Sequence, residues 1–180
     1  MLLLLLVIGC SKQAPPLTAQ QQAATRAATQ TAAGQYIDNL EAVATPPVGW
    51  ALDDVKTGDN YIHYVWLSPT GKTAYGIVRF TPPIYVWANE FGHNAAFNFG
   101  FKPAMKDDQG YVKVLDKSWD GEARMLVFEV EGGTYTTRNH FRVRGRRGWT
   151  VYAGTFTGET PIAEELALAI EARNATTVAE

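Results

Sequence analysis

The chain has 180 residues, of which 16 are Lys or Arg and 18 are Asp or Glu, so its formal net charge is −2. A balance this close to neutral excludes a general electrostatic attraction to nucleic acid, and no nucleic-acid partner is expected. The length suits a single domain with a substantial core. Five Trp, eight Tyr and eight Phe favour a fold built on a half-buried sheet.

The first ten residues, MLLLLLVIGC, have the pattern of a bacterial export signal that ends at a cysteine. Their apolar run is too short to cross a bilayer, which takes about 20 residues, but it suits the apolar region of a signal peptide. The segment Val7-Ile8-Gly9-Cys10 resembles the bacterial lipobox, in which the cysteine is acylated and becomes the first mature residue. Residues 1–9 are therefore predicted to be a lipoprotein signal peptide, and Cys10 the lipid attachment that holds the protein on a membrane.

The residues around the lipobox specify the compartment further. No Lys or Arg lies between Met1 and the apolar run, so either the α-amino group supplies the positive charge or the true start lies upstream. Ser11 stands where Asp usually retains proteobacterial lipoproteins in the inner membrane, which favours the outer membrane, facing the periplasm. Cys10 is the only cysteine, so no internal disulfide is expected. In the alternative interpretation, Cys10 is an ordinary buried thiol.

The next segment is predicted to be a tether over residues 10–45. Up to residue 32 it consists mainly of Ala, Gln and Thr and has too few large apolar side chains to fold alone. Near its end, apolar residues recur at helical spacing and predict a short helix that Thr45-Pro46-Pro47 stops. Those apolar residues are Tyr36, Ile37, Leu40 and Val43. The globular domain is expected to cover residues 46–177.

Strands and one helix are predicted in the first half of this domain. Alternating stretches bounded by turn residues predict strands over 50–55, 61–67 and 73–80. Thr81-Pro82 has the pattern of a helix start, with Thr as the cap and Pro at the first helical position. The helix is expected to end at Gly100. The face expected to pack on the core consists of Ile84, Ala88, Phe91, Ala95 and Phe99.

The second half is predicted to be an antiparallel meander and a closing helix. Tight Gly-containing connections join four stretches over 112–117, 122–130, 135–143 and 149–156. Thr160-Pro161 repeats the helix-start pattern, and the last helix is expected to turn Ile162, Leu166 and Ile170 to the core. The predicted fold class is α+β: an antiparallel sheet in the order β-β-β-α-β-β-β-β-α, covered by helices as a sandwich.

This order of elements resembles the PsbP-like (PsbP, Mog and DcrB type) fold over roughly residues 46–173. The matching features are the opening Pro47-Val48-Gly49-Trp50, the paired strands, the helix after Thr81-Pro82, the meander, and the helix after Pro161. The resemblance implies a domain that binds other proteins and has no shared catalytic set. A rival architecture is the cone-shaped fold of the ketosteroid isomerase group, but its helices cluster at the start of the chain.

No pattern predicts catalysis, a cofactor or a metal. The serines Ser11, Ser68 and Ser118 lie outside any Gly-x-Ser-x-Gly elbow. His63, His93 and His140 are far apart in the sequence and have no partner at metal-ligand spacing. The chain is therefore predicted not to be an enzyme.

The stretch TRNHFRVRGRRGW is the strongest candidate for a binding site. Alternate side chains of a strand share a face, so a basic stripe is expected on one side, with Asn139, Phe141 and Val143 on the other. The basic stripe consists of Arg138, His140, Arg142 and Arg144, extended into the turn by Arg146 and Arg147. It could bind a protein or another anionic partner in the envelope. In the alternative interpretation, these arginines pair with Glu122, Glu129 or Glu131 on neighbouring strands.

The aromatic residues allow a second function. Tyr64, Trp66, Tyr75, Tyr85 and Trp87 could simply pack a core, but Trp66 and Trp87 are the candidates to line a cavity between helix and sheet. A small apolar-ligand carrier, or an isomerase-like enzyme with His140 or an Asp as acid or base, is thus the alternative. The leading hypothesis is a lipid-anchored envelope protein whose domain binds a macromolecular partner and catalyses nothing.

Overall fold

The computed structural model describes residues 34–107, 110–132 and 134–179. The predicted signal peptide, Cys10 and most of the predicted tether lie outside the described residues. Its strands, in chain order, are β1 (Gln35–Ile37), β2 (Ala42–Ala44), β3 (Ala51–Gly58), β4 (Tyr61–Leu67), β5 (Thr73–Phe80), β6 (Lys106–Asp107), β7 (Gly110–Tyr111), β8 (Lys113–Asp120), β9 (Met125–Glu131), β10 (Tyr135–Arg144), β11 (Arg147–Phe156) and β12 (Thr177–Val178). Its helices are α1 (Glu90–Ala96), α2 (Lys102–Ala104) and α3 (Ala163–Ala175), with a 3-10 turn at Asp38–Leu40 and a π-helical turn at Phe97–Phe101.

A seven-stranded sheet forms the centre of the fold, in the order β3-β4-β5-β11-β10-β9-β8. Every neighbouring pair in it is antiparallel. The predicted α+β class with a mainly antiparallel sheet is therefore confirmed. Two-residue turns join β3 to β4 and β10 to β11, and Gly145 adopts the positive φ of 64° that the second turn needs.

One face of the large sheet is covered by α3 and by a small sheet of order β1-β2-β12. Its core includes Trp66, Tyr75 and Ile77 from the large sheet, packed with Leu40 of the 3-10 turn and Ala169 of α3. Because β12 follows α3 directly and pairs with β2, the end of the described chain is joined to its beginning. Residues 35–44 thus belong to the folded core.

The opposite face is covered by α1 and the π-helical turn. Its core is aromatic, with Phe97 and Phe101 packed on Phe80, Phe128 and Phe141 of the sheet. The large sheet is therefore covered on both faces around its central strands, whereas the edge strand β3 is mostly exposed. None of the helices within the described residues is long and apolar enough to span a membrane.

The short helix predicted from Tyr36 to Val43 is wrong. The chain forms β1, the 3-10 turn and β2 there, and Glu41 takes a left-handed conformation (φ 50°) between the turn and β2. The apolar spacing that suggested a helix instead places Leu40 in the core, where it is fully buried. Pairing of β2 with both β1 and β12 satisfies the backbone that a helix would have bonded internally.

The helix predicted from Thr81-Pro82 begins eight residues later than expected. Asn89 is its cap, and its side chain accepts a hydrogen bond from the Gly92 N–H at 2.8 Å. The tandem Pro82-Pro83 favours extended backbone, and Val86 bridges to Gly145 through two hydrogen bonds of 2.9 Å. The helix therefore buries a different face, formed by His93, Ala96 and Phe97. Three residues predicted to face the core are exposed: Ile84, Phe91 and Phe99.

The closing helix also begins later than Thr160-Pro161, at Ala163. Its buried residues are Ala169, Ala172 and Arg173, whereas Ile170 is exposed, and Ile162 and Leu166 are only half-buried. Small residues face the sheet because α3 packs closely against β11 and β5.

Candidate functional site

The basic stripe lies on β10, in the middle of the large sheet. Arg138, His140, Arg142 and Arg144 are exposed or half-buried, and they alternate with residues that are fully buried on the other face. His140 pairs in register with Val151, and Arg142 with Trp149. The stripe therefore lies on the same face of the sheet as α3 and the small sheet.

The structure adds Arg173, in the last turn of α3, to this stripe. Its Nη1 donates to the Arg138 carbonyl at 3.3 Å, and its Nε and Nη2 donate to Asn174 Oδ1 at 3.2 and 3.0 Å. Only 7% of Arg173 is exposed. Sequence reasoning missed this residue because α3 follows the stripe by some twenty positions and only the packing of the helix brings them together. Its one sequence signal was a cation in the last turn of a predicted helix.

A shallow cleft separates the stripe from the end of α3. It is lined by His140, Arg142, Trp149, Val151, Arg173, Asn174, Thr176 and Val178, and its volume is about 30 Å³. That space holds one or two water molecules, so it suits one small polar group and not a whole organic ligand. His140, Arg142 and Arg173 line this cleft, and Arg138 is the next stripe residue along β10; we call these four residues the basic cleft.

The arginines of the basic cleft are not paired with a carboxylate within residues 34–107, 110–132 and 134–179. No ion pair within 4.0 Å there involves Arg138, Arg142 or Arg173, although Arg138 stands opposite Glu129 in the strand register. The alternative interpretation, in which the stripe pairs with Glu122, Glu129 or Glu131, is therefore not seen for these arginines in the described residues. Arg142 instead donates weakly to Met125 Sδ at 3.8 Å.

Burial and the neighbouring arginines both shift the pKa values of His140 and Arg173. Burial, and then the charges of Arg173, Arg142 and Arg138, lower the pKa of His140 to about 4, against a weaker opposite effect of Asp120. Burial, and then Arg138, also lower the pKa of Arg173 below its ordinary value. His140 is thus neutral at pH 7, and the guanidinium groups supply the positive charge.

The rest of the predicted stripe divides into two parts. Arg147 pairs with Glu41 at 3.0 Å, and the same carboxylate binds Arg79 at 2.8 Å. Arg147 is therefore paired within the fold, although it shares its carboxylate with Arg79. Arg144 and Arg146 flank Gly145 and remain exposed at the turn between β10 and β11.

The other two histidines have structural hydrogen bonds. His93 is 1% exposed, and its Nε2 accepts from the Val143 N–H at 3.2 Å while its Nδ1 lies 2.8 Å from the Asn89 carbonyl. It therefore ties α1 to β10. His63 Nε2 lies 2.8 Å from the Tyr152 hydroxyl on the face opposite the basic cleft. Across the described residues, no group of three or more His, Cys, Asp or Glu side chains is placed to hold a metal ion.

The two tryptophans predicted to line a cavity are not brought together. Trp66 is 7% exposed and packs between Tyr64 and Tyr75, with ring centroids 5.8 and 5.2 Å away. Trp87 is 64% exposed and belongs to the segment before α1, on the other side of the sheet. Trp66 is thus a core residue, and Trp87 is a surface residue.

Comparisons with known proteins identify no family for this chain. No protein-family model matches it, and no curated protein does either. A crystal structure from Bacteroides thetaiotaomicron aligns with it at a TM-score of 0.41 and 11% identity, over 78% of this chain and 46% of that one. The chain thus spans about half the length of that protein. A TM-score of this size carries no argument about function.

Proposed function

We propose that this chain is a lipid-anchored protein of the bacterial cell envelope whose PsbP-like domain binds a protein partner and catalyses nothing. Cys10 would carry the lipid, with the protein on the outer membrane facing the periplasm. The basic cleft would receive an acidic side chain of the partner. The order of strands and covering helices supports the PsbP-like assignment, and that resemblance in turn favours a protein as the partner.

The observation that carries the proposal is Arg173. Only 7% of the surface of Arg173 is exposed, so its positive charge has lost much of its contact with water. An anionic partner would offset that cost more strongly than neutral hydrogen-bond acceptors do. The described hydrogen-bond partners of Arg173, Asn174 Oδ1 and the Arg138 carbonyl, are both neutral. Arg138 and Arg142 increase the unbalanced charge. A carboxylate could accept hydrogen bonds from two of these guanidinium groups at once.

The size of the cleft favours a macromolecule over a free small molecule. At about 30 Å³ the cleft admits one carboxylate group and leaves the remainder of any ligand outside. Affinity for such a ligand would have to come from surrounding surface, which a protein partner supplies. Trp66 and Trp87 give no support to the alternative, a carrier or isomerase-like enzyme with a shared apolar cavity.

Site-specific photo-cross-linking in the native membrane tests this proposal. A photoreactive phenylalanine replaces Thr136, which lies on the stripe face one alternation before Arg138, in the full-length anchored chain. The expected result is one discrete adduct with an envelope protein. The adduct should disappear when Arg138→Gln and Arg142→Gln are added and should persist with Arg147→Gln, since Arg147 is already paired with Glu41.

A second probe position provides the background. The same photoreactive residue at Leu115, which is 44% exposed on the edge strand β8, should not give that adduct. An adduct at Thr136 that survives the loss of both arginines would refute the proposal. An adduct with lipopolysaccharide or phospholipid instead of protein would refute the choice of partner.

A further inference from the structure

A second surface, outside the basic cleft, has an unusual composition. Five large apolar residues near α1 each expose between 55% and 78% of their surface. They are Ile84, Tyr85, Trp87, Phe91 and Phe99, and we call them the aromatic patch. Single exposed apolar residues are common, but five within sixteen positions are typical of a surface that binds something.

Close packing brings together the segments that carry these residues. A Cβ on Gly145 would lie 3.3 Å from the Tyr85 ring, and one on Gly100 would lie 3.3 Å from Pro83. The segment that carries Ile84 therefore packs on the turn that carries Phe99. The backbone of Trp87 packs on Gly92, the residue after Phe91 at the start of α1.

Cations lie on several of the segments that carry or contact the aromatic patch. Arg124 donates to the Ala88 carbonyl at 2.8 Å, next to Trp87. Arg144 and Arg146 flank Gly145, which bonds to Val86. Lys102 lies one helical turn after Phe99. The carboxylates on the same segments are Glu90, Asp120 and Glu122, and the Asp120 carboxylate already accepts two backbone N–H groups of its own turn.

We propose that the aromatic patch docks the domain on an anionic phospholipid bilayer. Trp and Tyr favour the boundary between headgroups and hydrocarbon, where the ring is apolar and its N–H or O–H stays hydrated. Each nearby Lys or Arg raises the affinity for an anionic surface about fivefold. Anionic headgroups form a continuous layer of negative charge, which can contact cations on several segments near the patch at once.

The proposed lipid anchor makes a weak contact of this kind effective. A chain of some 23 residues separates Cys10 from Gly34, where the described structure begins. A tether of that length would keep the domain at a local concentration in the millimolar range near the membrane. A patch with an isolated dissociation constant near 1 mM would then be bound about half of the time. The patch itself does not depend on the basic cleft having a partner.

Vesicle binding tests the inference without the anchor. The mature chain from residue 10, with Cys10→Ser, has neither the apolar signal residues nor acyl chains. It should co-sediment with vesicles of phosphatidylglycerol and phosphatidylethanolamine. Trp87→Ser with Phe91→Ser should lower the partition constant roughly a hundredfold, from the apolar area that two aromatic rings bury. Leu52→Ser with Leu115→Ser, at 49% and 44% exposure elsewhere on the sheet, is the control and should not change it.

Tryptophan fluorescence locates the contact. Brominated lipids should quench the wild-type chain and should lose most of that effect on Trp87→Phe, because Trp87 is the most exposed tryptophan: Trp66 and Trp149 are buried, and Trp50 and Trp119 are half-buried. Absence of wild-type binding, equal binding to phosphatidylcholine vesicles, or unchanged binding of the folded double variant would each overturn the inference. Arg138→Gln with Arg142→Gln should bind vesicles normally, which separates this surface from the basic cleft.

Discussion

The clearest quantitative prediction concerns His63 and acid stability. Burial, and then the nearby Lys56, lower the pKa of His63 from 6.5 to about 4, while Asp54 opposes them with a weaker effect. Between these two pKa values the unfolded chain binds a proton that the folded chain does not bind. The free energy of unfolding must therefore decrease as the pH falls from 6.5 towards 4. The contribution of neutral His63 is fully present above pH 6.5.

The size of this effect follows from the two pKa values. The pKa of His63 is 6.5 in the unfolded chain and about 4 in the folded chain. At pH 5, His63 alone therefore lowers the free energy of unfolding by about 2 kcal/mol. For a domain of this length, that corresponds to about 1 M in the midpoint of urea unfolding. The cost is large compared with the total stability of a typical domain, which is about 5 to 15 kcal/mol.

Urea unfolding of wild type and His63→Gln at pH 7 and pH 5 measures this quantity. Gln can still hydrogen-bond the Tyr152 hydroxyl, which lies 2.8 Å from Nε2, but it cannot bind a proton. Between pH 7 and pH 5, the free energy of unfolding of the variant should therefore decrease by about 2 kcal/mol less than that of wild type. His93 and His140 titrate equally in both proteins, so the difference isolates His63. Identical losses in the two proteins would refute the assignment of a buried, neutral His63.

Two further predictions concern the anchor and the core. Intact-mass analysis of the membrane fraction should show loss of residues 1–9 and added acyl chains, both absent from Cys10→Ala; an unprocessed wild-type chain would contradict the lipobox interpretation. Gly148→Ala should destabilise the domain by about 1 to 3 kcal/mol, because its Cβ would lie 2.2 Å from the Phe80 ring. Gly121→Ala, whose nearest neighbour is 3.5 Å away, is the thermal-melting control, and equal melting temperatures for the two variants would show that the ring moves aside freely.

Local patterns predicted the large sheet well because its strands carry their own signal. In β10, buried side chains alternate with exposed or half-buried ones from Thr136 to Arg144. This two-residue period can be read directly from the sequence. The same alternation correctly assigned Asn139, Phe141 and Val143 to the buried face.

The small sheet could not be predicted because its strands are very short and its middle strand β2 pairs with β12, at the far end of the described chain. Val43 of β2 pairs with Thr177 of β12, and each strand is too short to show a period. The basic cleft has the same limitation, since Arg173 meets Arg138 only after α3 folds back over the sheet. The start of α1 was missed for a different reason: Thr81-Pro82 has the residues of a cap, but its backbone continues the sheet, with the Thr81 N–H bonded to Asn60.

The pairing of β2 with β12 also fixes the order in which the domain can be completed. A ribosome releases β2 early, yet its second edge is closed only by Thr177 and Val178, and the Ala179 N–H bonds the Glu41 carbonyl beyond them. One of the first strands of the described chain is therefore among the last to be completed. Without Thr177 and Val178, β2 would keep an open strand edge, which another copy of the chain could pair with.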